Sequence, residues 1–570
     1  MFALLLAMAL LFPTACYAAG YDWPQFHNTV DGAGYSASSS PGAGNILWAS
    51  DNVGANPSSS PVIAGGRVYV YSSPSGDGFS ANSSAIACLD EASGATIWQK
   101  VIDTASSGSW SSPAYDSGKV FIGSAKKAYC LDAADGNILW SYALHYNVVN
   151  GSPRVADGKA FFTDWGGSVS YCYALDENSG DKIWEHQLVG YSQSTPAYDS
   201  GKVYVCSWKD ANGPGSGANN VYCLNAMTGT EIWHQNGLKH DTCGSPSVAD
   251  GKVFVGTYNF YGDGEVAALD AGDGHIIWVA VGPKDAGTHP GLNEVVGTVD
   301  IQRTDNTPAY ADGKLFLSGG CDGFSDFDTY CFNAETGALI WDEPASLGLT
   351  VGNWTCSVAV AGGKVFVGKA KTGGYFDYGG LYALDAGDGH LVWSSGQGGS
   401  TPAVADGTVF SYSGGRVYAF GSTTVPVTGV TLEPDSLTLI PGASGTLTAT
   451  VTPDNATDQG LTWTSSDEAV ASMVYSGATC TVTGHVYGSA TITVTTKDGD
   501  KQDFCLVTVQ PGGSGSYDLN SDGRVNVQDL VLVGQHVAET GADGWIPEDV
   551  NQDGRVNVQD LVLIGQNLTS

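Results

Sequence analysis

The sequence predicts a mainly β protein: a closed ring of eight four-stranded sheets, then a β-sandwich, then a small helical module at the C-terminus. Three observations predict it. A unit typified by residues 112–140, SPAYDSGKVFIGSAKKAYCLDAADGNILW, returns with variations until about residue 420, and self-similarity on this scale outranks any local signal. Composition agrees, since 78 Gly, 27 Tyr and 15 Trp with only 14% charged residues describe a turn-rich β protein. The composition then shifts twice, to a Thr, Val and Ser-rich stretch after residue 421 and to a pair of Asp-rich loops after residue 516.

Each copy opens with a short strand, turns at D-S-G-K or A-D-G-K, and runs an apolar strand such as KVFIG. It returns through x-C/A-L-D, turns again at a Gly, and ends in I-L-W or a close relative. Four short strands with Gly-centred turns make one antiparallel sheet. The terminal Trp recurs at Trp98, Trp140, Trp184, Trp233, Trp278, Trp341 and Trp393, with an outlying copy at Trp48. The opening strands begin near Pro61, Pro113, Pro153, Pro196, Pro246, Pro308, Val358 and Pro402. The last copy stops at 417–420 without its Trp strand, so Trp48 supplies it and the array closes on itself. Closure protects the sheet edges, as in an eight-bladed β-propeller.

The chain has 570 residues and a formal charge of −35, which makes nucleic acid and anionic lipid poor partners. Residues 1–19 combine an apolar core with small residues at Ala18 and Ala19 and read as a signal peptide, although the usual Lys or Arg is missing. A lipoprotein attached through Cys16 stands as the alternative, with Pro13 where such a signal normally has Leu. The expected location is secreted, extracellular or cell-surface attached. No later run is apolar enough to span a membrane. Beyond Cys16 there are eleven cysteines. Cys88, Cys130, Cys223 and Cys331 share one repeat position with Ala174, Ala268, Ala383 and Ala419, and are expected as small buried residues. Cys206 with Cys223, Cys321 with Cys331, and Cys480 with Cys505 are the candidate disulfides, with connectivity left open.

An aromatic, Gly-rich opening at 21–36 and the A-x-D-x-x-x-G-x-x-x-W repeats, as in ALDAGDGHIIW at 268–278, resemble the pyrroloquinoline quinone-like propeller repeat family over residues 20–422. The resemblance implies eight blades, each outer-strand Trp docking between neighbours. The residues say the same physically, because a large flat ring opposite a position restricted to Ala or Cys needs a shallow seat. The hairpin turns are uniformly tight, and the insertions at 72–84, 207–220, 258–265, 320–329, 371–380 and 281–306 are expected on one face. Long loops on a rigid scaffold usually carry binding.

Residues 426–510 alternate at period two between turns and read as a β-sandwich. Through TWTSSDEAVA at 462–471 and GSATITVTT at 488–496 they resemble the bacterial group 2 immunoglobulin-like family, whose members commonly serve as surface spacers or adhesion modules. Residues 511–516 form a flexible linker.

The tail, 517–570, holds DLNSDGRVNVQD at 518–529 and DVNQDGRVNVQD at 549–560. Each places carboxylate or amide oxygens at loop positions 1, 3, 5, 9 and 12 around a Gly at position 6, the set a hard cation such as calcium wants. Asp518, Asn520, Asp522 and Asp529 would ligate through side chains, Arg524 through its carbonyl and Asn526 through water. Asp549, Asn551, Asp553, Arg555, Asn557 and Asp560 repeat the set for a second ion. Two such loop-helix units resemble a dockerin, the module that plugs into a cohesin. That resemblance implies that Val527, Gln528, Val558 and Gln559, at loop positions 10 and 11, face the cohesin of a scaffold protein.

In the propeller, connections entering the inner strands carry Trp110, Asn147, Asn150, Gln193, His240, Asp241 and Trp354, with Trp110, Asp241 and Trp354 the leading candidates for a ligand face. Trp208, Phe324, Asp326, Phe327, Asp328, Tyr375, Phe376 and Tyr378 on the inserted loops would extend it. Aromatic faces beside carboxylates suit sugars or cationic groups. The scattered His residues give no metal spacing. Quinone-dependent relatives typically carry two adjacent cysteines and longer propellers, so pyrroloquinoline quinone is not expected here. The reading is a secreted, non-catalytic binding or scaffold protein that docks on a cohesin in an extracellular assembly, with glycan or another surface protein as ligand. The alternatives are a polysaccharide-acting component of a cellulosome-like complex and a quinone-dependent dehydrogenase.

Overall fold

Short apolar strands punctuated by Gly turns can bury both faces only by stacking sheet on sheet, and the chain does so. The structure, a computed structural model, describes residues 21–568 apart from 55–58, 73–82, 104–110, 209–219, 258–262, 303, 305, 321–327, 344–350, 353–355, 371–377, 423–426, 455, 511–516, 521, 523 and 543–545. It divides into two compact units, one ending at Ser422 and the other beginning at Thr423.

Among the described residues the first unit holds eight sheets, each with four antiparallel strands, and two of these sheets carry a fifth strand in parallel. Sheet two is typical, with Ala114–Asp116, Lys119–Ser124, Lys127–Asp132 and Ile138–Ala143 in order. Sheet eight joins Ala403–Ala405, Thr408–Ser413 and Arg416–Gly421 to Asn45–Ala49, which places Trp48 opposite Ala419 as the strand count requires. The innermost strands of successive sheets touch in order, and the first, Val62–Ala64, also lies against the eighth, Ala403–Ala405.

The seat expected for the Trp is present in every copy. A register shift just before each Trp sets it opposite Cys88, Cys130, Ala174, Cys223, Ala268, Cys331, Ala383 or Ala419. Each ring then covers a glycine of the next sheet. A Cβ on Gly94, Gly136, Gly180, Gly229, Gly274, Gly337 or Gly389 would come under 3.0 Å from Trp48, Trp98, Trp140, Trp184, Trp233, Trp278 or Trp341 in turn. Trp393 closes the series on Gly44. Every indole also donates to a turn carbonyl across the same junction, from Trp48 to Glu91 at 2.9 Å through to Trp393 to Pro41 at 3.0 Å. Apolar area, shape and one hydrogen bond therefore hold each junction.

The segment before Trp48 does something the sequence did not announce. Residues 23–38 run past the innermost strands of all eight sheets in chain order. Trp23 pairs with Ile63, Pro24 O accepts from Tyr115 N, and the Gln25 side chain bonds Val155 twice. Val30, Asp31, Ala33 and Gly34 carbonyls accept from Tyr198, Val248, Tyr310 and Val360, and Ser38 Oγ accepts from Gly407 N. Arg154 staples this collar. Its guanidinium, 1% exposed, donates to the carbonyls of Phe26, Thr29 and Pro196, and burial draws its pKa down to about 10.

The second unit begins with a sandwich of two four-stranded sheets around Trp463, Ile492, Val494 and Val507. The cysteines correct the sequence reading. Cys206, Cys223, Cys480 and Cys505 are all free and buried. Cys206 faces Val221 while Cys223 faces Tyr204, a diagonal offset that separates side chains by about 7 Å, too far for a disulfide. Cys480 and Cys505 lie in different sheets of the sandwich core. Cys331 is also free, and its proposed partner Cys321 lies outside the described residues. The tail packs α1, Val527–His536, with α2, Val558–Gln566, around Val533, Val550, Val556 and Ile564.

Candidate functional site

Two regions carry chemistry, the paired loops of the tail and the end of the first unit that bears the insertions.

In the first loop the Asp522 N–H donates to Asp518 Oδ1 at 3.0 Å and Asn520 Oδ1 at 2.9 Å, and Arg524 N–H donates to Asp522 Oδ1 at 2.9 Å. The second loop repeats the pattern with Asp553 on Asp549 and Asn551 at 3.0 and 2.9 Å, and Arg555 on Asp553 at 2.9 Å. One amide thus draws two side-chain oxygens toward a single point, twice. Asn526 and Asn557 are helix N-caps in capping boxes closed by Asp529 and Asp560. Asp529 is fully buried, and its carboxylate accepts from Leu519, Asn520 and Asn526 N–H. Burial pulls the Asp529 carboxyl upward, but these amides carry it below its ordinary range. Converging oxygens around a tight turn fit calcium, with Asp518, Asp522, Asp549 and Asp553 supplying charge. Val527 and Val558 are each 66% exposed, with Gln528 and Gln559 exposed beside them. The exposed Val531 and Val562 extend each pair by one turn and were missed in the sequence.

In the first unit, a hydroxyl precedes the innermost strand of each sheet. Ser60 N–H donates to Ser112 Oγ, Ser112 N–H to Ser152 Oγ, Ser152 N–H to Thr195 Oγ1 and Thr195 N–H to Ser245 Oγ, all between 2.8 and 3.0 Å. A second run takes Thr307 N–H to Ser357 Oγ at 3.0 Å and Ser357 N–H to Thr401 Oγ1 at 3.1 Å. The Ser or Thr before each opening Pro was the signal in the sequence, but it gains meaning only when the copies meet around an axis. The collar of residues 23–38 lies toward the hairpin-turn ends of these strands, so the hydroxyl ring marks the opposite end.

Of the three leading residues, Trp110 and Trp354 lie outside the described residues, as do Phe324, Asp326, Phe327, Tyr375 and Phe376. Most of the insertions do as well; the 281–306 segment is largely described. Asp241 is half-buried beside His240, close in the chain to a group bonded to buried Glu265. Glu265 accepts from the Lys239 and His240 N–H groups at 3.1 and 3.3 Å and meets His289 Nε2 at 2.9 Å. His289 Nδ1 meets Glu294 at 3.3 Å. The bond to Glu265 raises the His289 pKa above its ordinary value against burial, while burial lowers that of His240. This bridge pins the 281–306 insertion, where Glu294–Val296 adds a parallel strand to sheet five. Tyr378 is only 8% exposed, so it is a core residue rather than part of a loop surface.

Two other features were not foreseen. The exposed turns gather Asp270, Asp273 and His275, and likewise Asp385, Asp388 and His390, with ligand atoms within 4.8 Å of one another; the hydrogen bonds of these Asx turns account for both. A cleft of about 600 Å³ lies at the hairpin-turn end between the collar and sheets six and seven, lined by Tyr35, Asp312, Lys314 and Asp385.

Comparison with known proteins places these regions. A family model described as outer membrane protein assembly factor BamB matches residues 82–187, 170–320 and 325–428. A bacterial Ig-like domain (group 2) model matches 426–507, and a dockerin type I domain model matches 516–569. Among curated proteins, a tetrathionate hydrolase from Acidithiobacillus ferrooxidans is 22% identical over 54% of this chain and 62% of its own length. A polyvinylalcohol dehydrogenase from Sphingopyxis sp. is 31% identical over 30% of this chain and 28% of its own. The chain therefore spans less than two thirds of either relative. A solved europium-containing methanol dehydrogenase superposes with a TM-score of 0.54 at 15% identity, over 70% of this chain and 98% of the other. That likeness is one of fold. A dockerin type I domain implies calcium binding and a cohesin partner.

Proposed function

The chain belongs to the family described as outer membrane protein assembly factor BamB, and from that premise we propose that it is a secreted, non-catalytic recognition protein carried on a calcium-dependent plug. The eight sheets are the eight blades of one propeller, which binds its ligand at the end bearing the hydroxyl ring and the insertions. Residues 426–510 are the spacer. Residues 517–570 hold two calcium ions, one in each loop, and dock on the cohesin of an extracellular scaffold through Val527, Gln528, Val558 and Gln559.

The observation that carries this reading is the duplicated convergence of loop oxygens beneath exposed, paired Val-Gln dipeptides. The collar supports the choice of end, because the chain's own segment occupies the other end of all eight innermost strands. A non-catalytic head is supported by where the carboxylates go. Glu265 and Glu294 are engaged with His289, and Asp164 with Tyr146, Tyr171 and Tyr173, which takes these three carboxylates away from the facing pair that glycoside hydrolysis uses.

Pyrroloquinoline quinone is a tricarboxylate and asks for cations. Arg154 is held by three carbonyls and Lys239 by Asp285 at 2.9 Å. These two cations do not serve it, and no step is derived through it. Because relatives include dehydrogenases, the test has two arms. The full chain should bind an immobilised type I cohesin in millimolar calcium and be released by chelator, and it should reduce no dye with alcohols when supplied with the quinone. Failure to bind any type I cohesin, or quinone-dependent turnover, contradicts the proposal.

A further inference from the structure

At the end bearing the insertions, sheets three and four terminate in two isolated antiparallel bridges, Asn147 with Trp165 and Tyr191 with Trp208. Residues opposed across such a bridge project their side chains from one face. The Tyr191 and Trp208 rings lie 4.9 Å apart at 33°, and Trp165 stands edge-on to both, 5.4 and 6.3 Å away at 74° and 73°. All three rings are half-buried, so each keeps accessible surface. Together they form a nest at the end of the first unit that bears the insertions.

The nest is built rather than incidental. Buried Asp164, next to Trp165, accepts from Tyr146 N–H at 3.0 Å, Tyr171 N–H at 2.7 Å and Tyr173 O–H at 2.6 Å. Ser192 Oγ, next to Tyr191, donates to Cys206 O at 2.8 Å. Polar groups of the nest itself are left over. The Trp208 indole N–H is buried without a partner among the described residues, and neither the Asn147 carboxamide nor the Trp165 indole N–H has one among them.

We propose that this nest is a binding site for the rings of a neutral oligosaccharide; the inference rests on the recognition-head reading and gives it a site. Flat aromatic faces take the C–H face of a sugar ring, and leftover N–H donors need acceptors such as its hydroxyls. A cationic ligand would share the aromatic faces but would meet N–H donors, and among the described residues the carboxylate next to Trp165, Asp164, is spent on the scaffold. An acidic sugar would approach a chain of charge −35. The sequence concealed the site because its residues come from four separate segments.

The test titrates the full chain with xylohexaose, cellohexaose and mannohexaose, and with choline and hexagalacturonate for comparison, reading tryptophan fluorescence and calorimetry. At least one neutral hexasaccharide should bind and quench. Trp165→Ala should weaken it by about tenfold or more, and Asn147→Ala by about threefold to tenfold, with melting temperatures held. Trp208→Phe, which keeps an aromatic ring and removes the N–H, covers the case in which Trp165→Ala does not fold and should weaken binding as Asn147→Ala does. Full affinity in these variants would move the sugar elsewhere and overturn the site while leaving the recognition head. No neutral hexasaccharide bound by the unmutated chain would overturn this site while leaving a head that recognises another kind of ligand, and preference for choline or hexagalacturonate would overturn the ligand class.

Discussion

The head and the tail are both built by internal duplication, yet they spend it differently. The tail repeats a twelve-residue loop twice, and each copy carries its own set of candidate ligand oxygens, from Asp518 to Asp529 and from Asp549 to Asp560. The head repeats a four-strand sheet, and no copy is complete alone. Each Trp is seated on the glycine and carbonyl of the next copy, six of the hydroxyls before the innermost strands accept from a neighbouring copy, and the aromatic nest draws on two adjacent sheets. Duplication of a self-sufficient site makes function local. Duplication of an incomplete unit makes function a property of junctions.

Breaking a local site should have the largest effect. Asp549→Ala deletes an oxygen at the first position of the second loop, and that carboxylate also accepts from Asp553 and Gly554 N–H. Cohesin capture should be lost or nearly so while the melting of the head is unchanged. Asp518→Ala should weaken capture less, because the Asp518 side chain is more exposed than that of Asp549.

Breaking one junction should be graded instead. Trp140→Ala removes a ring 8% exposed, seated on Gly180 and bonded to Glu177 O at 3.0 Å. It should destabilise the head by about 3–5 kcal/mol, read in denaturant unfolding, with cohesin capture retained. An unchanged unfolding midpoint would show that the junctions do not carry the head's stability.

Two buried histidines sharpen the comparison within the head, and they have opposite signs. His27 lies fully buried in the collar, where burial pushes its pKa down to about 3. The unfolded chain then binds the extra proton between pH 6.5 and 3, so stability falls as pH drops through that window. Acid melting should be less steep in His27→Gln. His289 has a raised pKa between Glu265 and Glu294, so its contribution is full below pH 6.5 and is lost as pH rises through its folded value. The expected effect is the smallest, a local fall in the hydrogen-exchange protection factors of 281–306, with the intrinsic pH dependence of exchange divided out, on going from pH 6 to pH 9.

What the sequence made legible follows the same division. The strand order, the Trp48 closure and the Ala or Cys opposite each Trp could be read because each is a pattern within one copy or a count over copies. The paired Asp-rich loops could be read as candidate calcium sites because residues at fixed spacing belong to one turn. The collar was read only as an aromatic opening, since its eight partners lie between Ile63 and Gly407. Trp165 and Tyr191 went unnoticed because nothing near them in the chain marks them as neighbours. The disulfide expectation failed for a related reason: neighbouring strands were inferred correctly for Cys206 and Cys223, but the two-residue offset was not visible.

The most direct measurement is hydrogen exchange of the full chain with calcium present and after chelation. If the tail's function is local and metal-dependent while the head's fold rests on its own junctions, chelation will accelerate exchange across α1, α2 and both loops. It will leave residues 23–38 and the Trp-bearing strands unchanged. Unaltered protection in α1 and α2, or loss of protection that spreads into the head, would contradict the account.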